Sequence, residues 1–204
     1  MTDIWADVAR FNRACDVRLR DLPGWVPDDE LDLALALVAE ELGELDSALE
    51  QRDLVDTADA IADSVYVLVG LALRLCIGRR YITDIVKDAP AGYIGFDGVA
   101  GFEIEVVRED LAASHARLLF AIENRSLPAT DSAVHHLLFG VAGVGFMLGL
   151  PMEAVWVCVH ASNMTKTVDG KVIRNASGKI MKPDTFIPPA IGEVLRRHGW
   201  GVAA

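Results

Sequence analysis

Of the nine acids between Glu40 and Asp63, six fall into two groups at helical spacing: Glu40, Glu41 and Glu44, then Asp56, Asp59 and Asp63, with a short polar break at Gln51–Asp53 between them. On a helix, side chains three and four residues apart share a face, so each group forms a column of carboxylates and a hairpin brings the columns together. These acids stand among Leu42, Leu45, Leu49, Ile61, Val65 and Leu68. Part of the acidic column therefore borders the buried stripe, where like charges repel strongly unless something neutralises them. A hard divalent cation held by oxygen ligands is the usual remedy. Mg2+, or Mn2+ in its place, commonly completes its shell with substrate phosphates. The chemistry such a cradle offers is metal-assisted hydrolysis of a phosphoanhydride.

The complementary charge lies in the tail. Between His160 and Lys182 stand Lys166, Lys171, Arg174, Lys179 and Lys182 against the single acid Asp169. One reading is a solvated hairpin. The other is a flap that closes on a triphosphate, with Asn163 and Lys166 at a helix end and Lys179 and Lys182 on the hairpin.

Helical spacing of apolar residues predicts the elements that position these groups. A first helix runs over Ile4 to Arg20 and a loop over Leu22 to Pro27. A second helix, capped by Asp28 or Asp29, reaches about Glu50, and a third runs from about Val55 to Ile77 and stops at Gly78. From Arg79 to Gly101 the periodicity is lost and a connecting loop is expected, with a short extended piece at Tyr93 to Phe96. Helices follow at Phe102 to Asn124, Asp131 to Gly149 and Met152 to Asn163, with Pro151 at the first turn of the last. KVIRNASGKIMK reads as two short strands around a polar turn, and a short helix near Glu193 to His198 ends the chain.

A shift of 73 residues lays Ala39–Ile77 over Ala112–Leu150 without a gap. It pairs Leu45 with Leu118, Ala48 with Ala121, Arg52 with Arg125, Leu54 with Leu127 and Thr57 with Thr130. The acids are the exceptions: Glu40, Glu41, Glu44, Asp59 and Asp63 face Ala113, Ser114, Arg117, Ser132 and His136. The expected fold is thus all-α, a single domain over residues 1–204. Its four-helix core joins an acidic hairpin at 28–78 to a degenerate second hairpin at 102–150, and a basic β-hairpin-like flap at 164–191 completes it.

Composition narrows the function. A formal net charge of -11 argues against a nucleic-acid partner. With 52% apolar residues, the chain has the composition of a folded domain. Cys15, Cys76 and Cys158 form no CxxC pair and read as reduced thiols, and the first residues lack the basic-then-apolar pattern of a signal peptide; a cytoplasmic location is expected. The uncharged run Ala133–Met152 reads as a buried helix rather than a membrane span. No Glu-x-x-His pair occurs, so a di-iron bundle site is disfavoured. The five histidines read as core or surface residues.

The segments EELGEL, DAIADSVYVLVG, GLPMEAVWVCVHASNMTK, DGKVIRNASGKIMKP and PPAI, with VARFNRACDV before them, resemble the MazG-like all-α nucleoside triphosphate pyrophosphatases. The resemblance is close in character to the phosphoribosyl-ATP pyrophosphohydrolase-like members. The intervening second hairpin is similar to the dimeric dUTPase branch. The resemblance implies a homodimer and an enzyme that splits a nucleoside triphosphate into monophosphate and pyrophosphate, in nucleotide-pool house-cleaning. It also implies Mg2+ or Mn2+ on Glu41, Glu44, Asp59 and Asp63, with Glu40 or Glu41 orienting or deprotonating the attacking water. The family's first motif, ExxE, falls on Glu41 and Glu44. Its second, ExxD, falls on Ala60 and Asp63, so one acid is missing and Asp59 is the substitute on the same face. Two alternatives follow: a catalytically degenerate nucleotide-binding or interaction module, and a phosphoribosyl-ATP pyrophosphohydrolase. Base and sugar specificity are not legible in the sequence.

Overall fold

The computed structural model describes residues 2–78, 88 and 94–201. Seven α-helices form among them: α1 (Ile4–Ala14), α2 (Asp28–Gln51), α3 (Leu54–Leu75), α4 (Gly101–Glu123), α5 (Leu127–Leu148), α6 (Met152–Met164) and α7 (Ile191–Arg197). A 3₁₀ turn at Phe96–Gly98 precedes α4. Most of the expected connecting loop, including its extended piece at Tyr93, lies outside the described residues; the described Phe96 is in the 3₁₀ turn.

The helix at the centre is α3. Val65, Leu68, Val69 and Leu75 are fully buried, and the helix packs against α1, α2, α5, α6 and α7. Its second half, apolar on all sides over Val65–Leu73, must be surrounded in this way. The α2–α3 and α4–α5 hairpins meet through α3 against α5 and α2 against α4, which gives the four-helix core. Arg108 of α4 braces the second contact, donating from Nε and Nη2 to the Asp46 carboxylate of α2 at 2.7 and 3.0 Å.

The two hairpins repeat the same backbone turn, offset by 73 residues. Arg52 (φ 55°) and Arg125 (φ 50°) both follow a helix in the left-handed region. In the first hairpin Asp53 N–H donates to Ala48 O at 3.1 Å, and in the second Ser126 N–H donates to Ala121 O at 3.0 Å. Asp53 and Ser126 then each cap the following helix, Asp53 accepting from Val55 N and Asp56 N and Ser126 from Ala129 N. The far ends match as well: Ile77 N–H donates to Ala72 O and Leu150 N–H to Gly145 O, both at 2.9 Å. The helix-to-helix break was expected across SLPAT, but Ser126 starts α5 at once, with Pro128 tolerated in its first turn.

Three other boundaries differ from expectation. The first helix ends at Ala14, because Asp16 takes φ 54° and Val17 N–H turns back to Asn12 O. Pro27 occupies the N-cap of α2, and Asp28 and Asp29 lie in its first turn, where the helix dipole favours acids. The tail forms no strand among the described residues. Only the isolated bridges Val168↔Lys171 and Arg174↔Ile180 appear, so the β-hairpin-like flap is an irregular loop. Its turn is held instead by the Asn175 side chain, which accepts from Ser177 N and Lys179 N at 3.1 and 2.9 Å, a local arrangement that competes with a strand ladder. Among the described residues, α5 is the one helix long and apolar enough to cross a membrane, and it packs on α3 and α4.

Candidate active site

The α2–α3 turn sets the two acid columns side by side. Glu41 and Asp63 face a cavity of about 120 Å³ that Phe11, Tyr66, Asn163, Lys166 and Lys179 also line. Glu40, Glu44, Asp56 and Asp59 line an adjoining groove of about 450 Å³ between the same helices, with Ala60 in its wall. The side chain that the second motif lacks would have stood in that wall. Ala60 itself is 5% exposed, and the acid next to it, Asp59, keeps one buried carboxylate oxygen without a hydrogen-bond partner.

The carboxylates are held at high proton affinity. Burial raises Glu41 to about 8, with the charges of Asp63, Glu44 and Glu40 adding to the effect and Lys166 opposing it. Asp59 rises to about 7, again through burial and then through Asp63 and Glu44, with Lys182 opposing. Burial also pushes Asp63 up, against the Lys166 charge, a hydrogen bond from Asn163 and the Lys182 charge. Lys166 moves the other way: burial lowers it, and Asp63 and Glu41 hold it up. Acids pressed together and cations pressed against them are the arrangement expected where pKa values are tuned for chemistry.

The tail brings the cations in. Lys179 Nζ lies 2.6 Å from both carboxylate oxygens of Glu40. The Phe186 ring carries Lys182 at 5.0 Å and Lys166 at 5.9 Å from its centroid, within cation–π range. Ser162 Oγ donates to Ile187 O at 2.7 Å and Ile187 N–H donates to Thr165 Oγ1 at 3.0 Å, which fastens this part of the tail to the end of α6. Arg174 anchors the other part, donating from Nη2 to Cys15 O at 2.5 Å. All nine residues singled out from the sequence thus belong to one neighbourhood: Glu40, Glu41, Glu44, Asp59 and Asp63 on the hairpin, and Asn163, Lys166, Lys179 and Lys182 facing them.

The donor set fits a hard divalent cation by type, since Glu41, Glu44, Asp59 and Asp63 offer only carboxylate oxygen and Asp59 has one oxygen unpartnered. Among the described residues, however, no three His, Cys, Asp or Glu side chains are grouped closely enough to hold an ion, and the lysines provide the neutralising charge.

Sequence reasoning missed a buried chain of groups behind the cavity. Tyr66 Oη lies 3.0 Å from His160 Nδ1, His160 Nε2 lies 3.6 Å from Asp7, and Trp156 Nε1 donates to Asp7 Oδ2 at 3.0 Å. Tyr66 stacks on Trp156 and meets Phe11 edge-on, so α1, α3 and α6 are locked together next to Glu41 and Asp63. No local pattern in the sequence links Asp7 to His160. Arg174 was visible only as part of a basic tail; with Arg18 and Arg74 it borders a larger cavity of about 880 Å³ that shares Leu33, Arg74, Arg174 and Gly178 with the smaller one. Trp25 stacks under the Arg125 guanidinium at 5.1 Å.

Comparison with protein-family models matches residues 8–89 to phosphoribosyl-ATP pyrophosphohydrolase, a span that takes in most of α1 and all of α2 and α3. No curated protein and no solved structure matches the chain. Residues 8–89, with both acid columns, are a phosphoribosyl-ATP pyrophosphohydrolase family domain of the MazG-like all-α nucleoside triphosphate pyrophosphatase superfamily.

Proposed function

We propose that this protein is a metal-dependent pyrophosphohydrolase that converts a nucleoside triphosphate to its monophosphate and pyrophosphate. The observation that carries the reading is the meeting of Glu41 and Asp63, both within the matched domain of pyrophosphohydrolase type, with Asn163, Lys166 and Lys179 around one cavity. In this reading Glu41, Glu44, Asp59 and Asp63 would hold Mg2+ or Mn2+ once their side chains draw together, and the ion would supply Lewis-acid stabilisation of phosphoryl oxygens. Asn163 orients Asp63 through its hydrogen bond. Lys166, Lys179 and Lys182, which neutralise carboxylates in the free protein, turn to the phosphate chain of the substrate. Glu40 or Glu41, side by side on α2, would orient the attacking water or take its proton. The phosphoanhydride joining the α and β phosphoryl groups breaks, and pyrophosphate leaves with the bonding electron pair.

The description of the matched family favours a second substrate, phosphoribosyl-ATP, which contains the same phosphoanhydride. A pyrophosphate-release screen over the ribo- and deoxyribonucleoside triphosphates and phosphoribosyl-ATP, with Mg2+ and with Mn2+, separates the two. Glu41→Gln and Asp63→Asn run beside it. Unchanged turnover in both variants would sink the site assignment. Nucleotide binding without pyrophosphate release from any of these substrates would make the protein a binding module.

A further inference from the structure

The second hairpin, outside the matched family domain, keeps a groove where the first carries its acids. Shifted by 73 residues, Glu44, Asp56 and Asp59 of the acid groove fall on Arg117, Ala129 and Ser132, and all three of these line a groove of about 670 Å³ between α4 and α5. The wall residues Ala48 and Ala60 fall on Ala121 and Ala133 of the same groove. Glu41 and Asp63 fall on Ser114 and His136, which line it too. The groove persists and its charge is reversed. No acid lines it among the described residues, in a chain that holds 30 Asp and Glu.

We propose that this groove binds a nucleoside monophosphate without a metal ion. Arg117 supplies the charge. Its neighbours one turn away on α4, Ala113, Ser114, Phe120 and Ala121, are all uncharged, and among the described residues no ion pair reaches it, so its guanidinium is open to a phosphoryl oxygen. Ser114 is 2% exposed and, among the described residues, its hydroxyl has no hydrogen-bond partner. Buried polar groups are ordinarily paired, and here a ligand oxygen supplies the partner. Ser132 and His136 add polar groups from α5. A lining without carboxylates suits an anion and not a hard cation, whose ligands are oxygens of that kind. The rest of the lining is apolar: Ala121, Ala129 and Ala133 are small, and Phe120, 67% exposed, adds an aromatic ring. Inorganic phosphate would leave that surface unused. A base stacks on an aromatic face whatever its identity, and a single phosphoryl group matches the single guanidinium. Nucleoside monophosphates are also the products of the proposed hydrolysis, but the binding does not rest on that reading.

Isothermal titration of the full chain with the four ribonucleoside 5′-monophosphates in EDTA tests this without turnover. One site per chain is expected, with adenosine and inorganic phosphate each binding at least about tenfold more weakly than adenosine monophosphate. Arg117→Glu restores the residue type of Glu44, and Phe120→Ala removes the ring. Both side chains are exposed, so each variant should keep its circular dichroism while raising the dissociation constant about tenfold or more. Lys166→Met, in the active-site cavity, should leave that constant unchanged. Binding of none of the four monophosphates would overturn the proposal, as would undiminished affinity in Arg117→Glu or adenosine binding as tightly as its monophosphate. So would a loss confined to Lys166→Met, which would move the nucleotide to the cavity of Glu41 and Asp63. Self-association of the wild-type chain in sedimentation velocity, abolished by Phe120→Ala and untouched by nucleotide, would give the groove to a second copy and overturn it as well.

Discussion

Lys179 Nζ stands 2.6 Å from both oxygens of the Glu40 carboxylate, joining the tail to α2 across most of the chain. Both side chains are partly exposed, at 38% and 43%, and a pair so exposed stabilises a protein by at most about 1 kcal/mol. Its weight is in placement. Lys179→Met is therefore expected to leave the Tm nearly unchanged while raising KM for the nucleotide more than it lowers kcat, because it would remove the proposed phosphate contact and loosen the tail together. Steady-state kinetics beside a thermal melt check this; a large fall in Tm with unchanged KM would make the pair a structural brace only.

Glu41 and Asp63 pull stability and activity in opposite directions. Burial together with the other carboxylate charges raises Glu41, and burial raises Asp63, so their ionised forms are costly in the free protein. Glu41→Gln and Asp63→Asn remove that cost and are each expected to raise the Tm of the metal-free protein at pH 8. In the proposed mechanism Glu41→Gln lowers kcat about 10²–10⁴-fold, the range typical of a lost proton-transfer group, and Asp63→Asn lowers activity by removing a metal ligand. Measuring both on one preparation is the check: a variant that loses activity and Tm together has been damaged in its fold, not in its chemistry.

The pH dependence follows from the same shifts. An acid whose folded pKa lies above its unfolded one binds more protons in the folded state throughout the interval, so stability falls as pH rises through it. For Glu41 the interval runs from 4.5 to about 8 and for Asp59 from 3.8 to about 7. The contribution of this cluster to the metal-free Tm should thus decline from about pH 4 to pH 8 and level off above. Saturating Mg2+ favours the ionised acids, so its stabilising effect should grow over the same range. Melts at constant ionic strength with and without Mg2+ read both trends, and a Mg2+ effect independent of pH would count against these carboxylates as ligands.

The two acid columns were legible because helical spacing is local information: Glu41 and Glu44 share a face by their separation alone, and so do Asp59 and Asp63. The repeat was legible for a related reason, since Arg52 and Arg125 mark the same left-handed turn and Asp53 and Ser126 the same cap. What escaped were interactions that local sequence does not encode. Asp7 meets His160 and Trp156 only because α1 and α6 are both packed against α3. The strands expected in the tail alternate plausibly in sequence, but the Asn175 side chain takes backbone N–H groups that a ladder needs, and the tail's anchors are Arg174 on Cys15 and Ser162 on Ile187.

Ala60 offers the sharpest test of the metal reading. It is 5% exposed in the wall of the groove that Glu44, Asp56 and Asp59 line, at the position where the family motif places glutamate. Ala60→Glu puts a carboxylate beside acids already raised by burial and by each other, so the metal-free protein should lose about 1–3 kcal/mol of stability through crowding, with added repulsion as pH rises. Ala60→Gln imposes the same volume without the charge. If the groove binds Mg2+, the ion should raise the Tm of Ala60→Glu by more than that of wild type and that of Ala60→Gln by no more than wild type, since only the glutamate adds a ligand. Equal Mg2+-dependent shifts in the two variants would remove this groove from the metal site and leave the ion, if it binds, to Glu41 and Asp63.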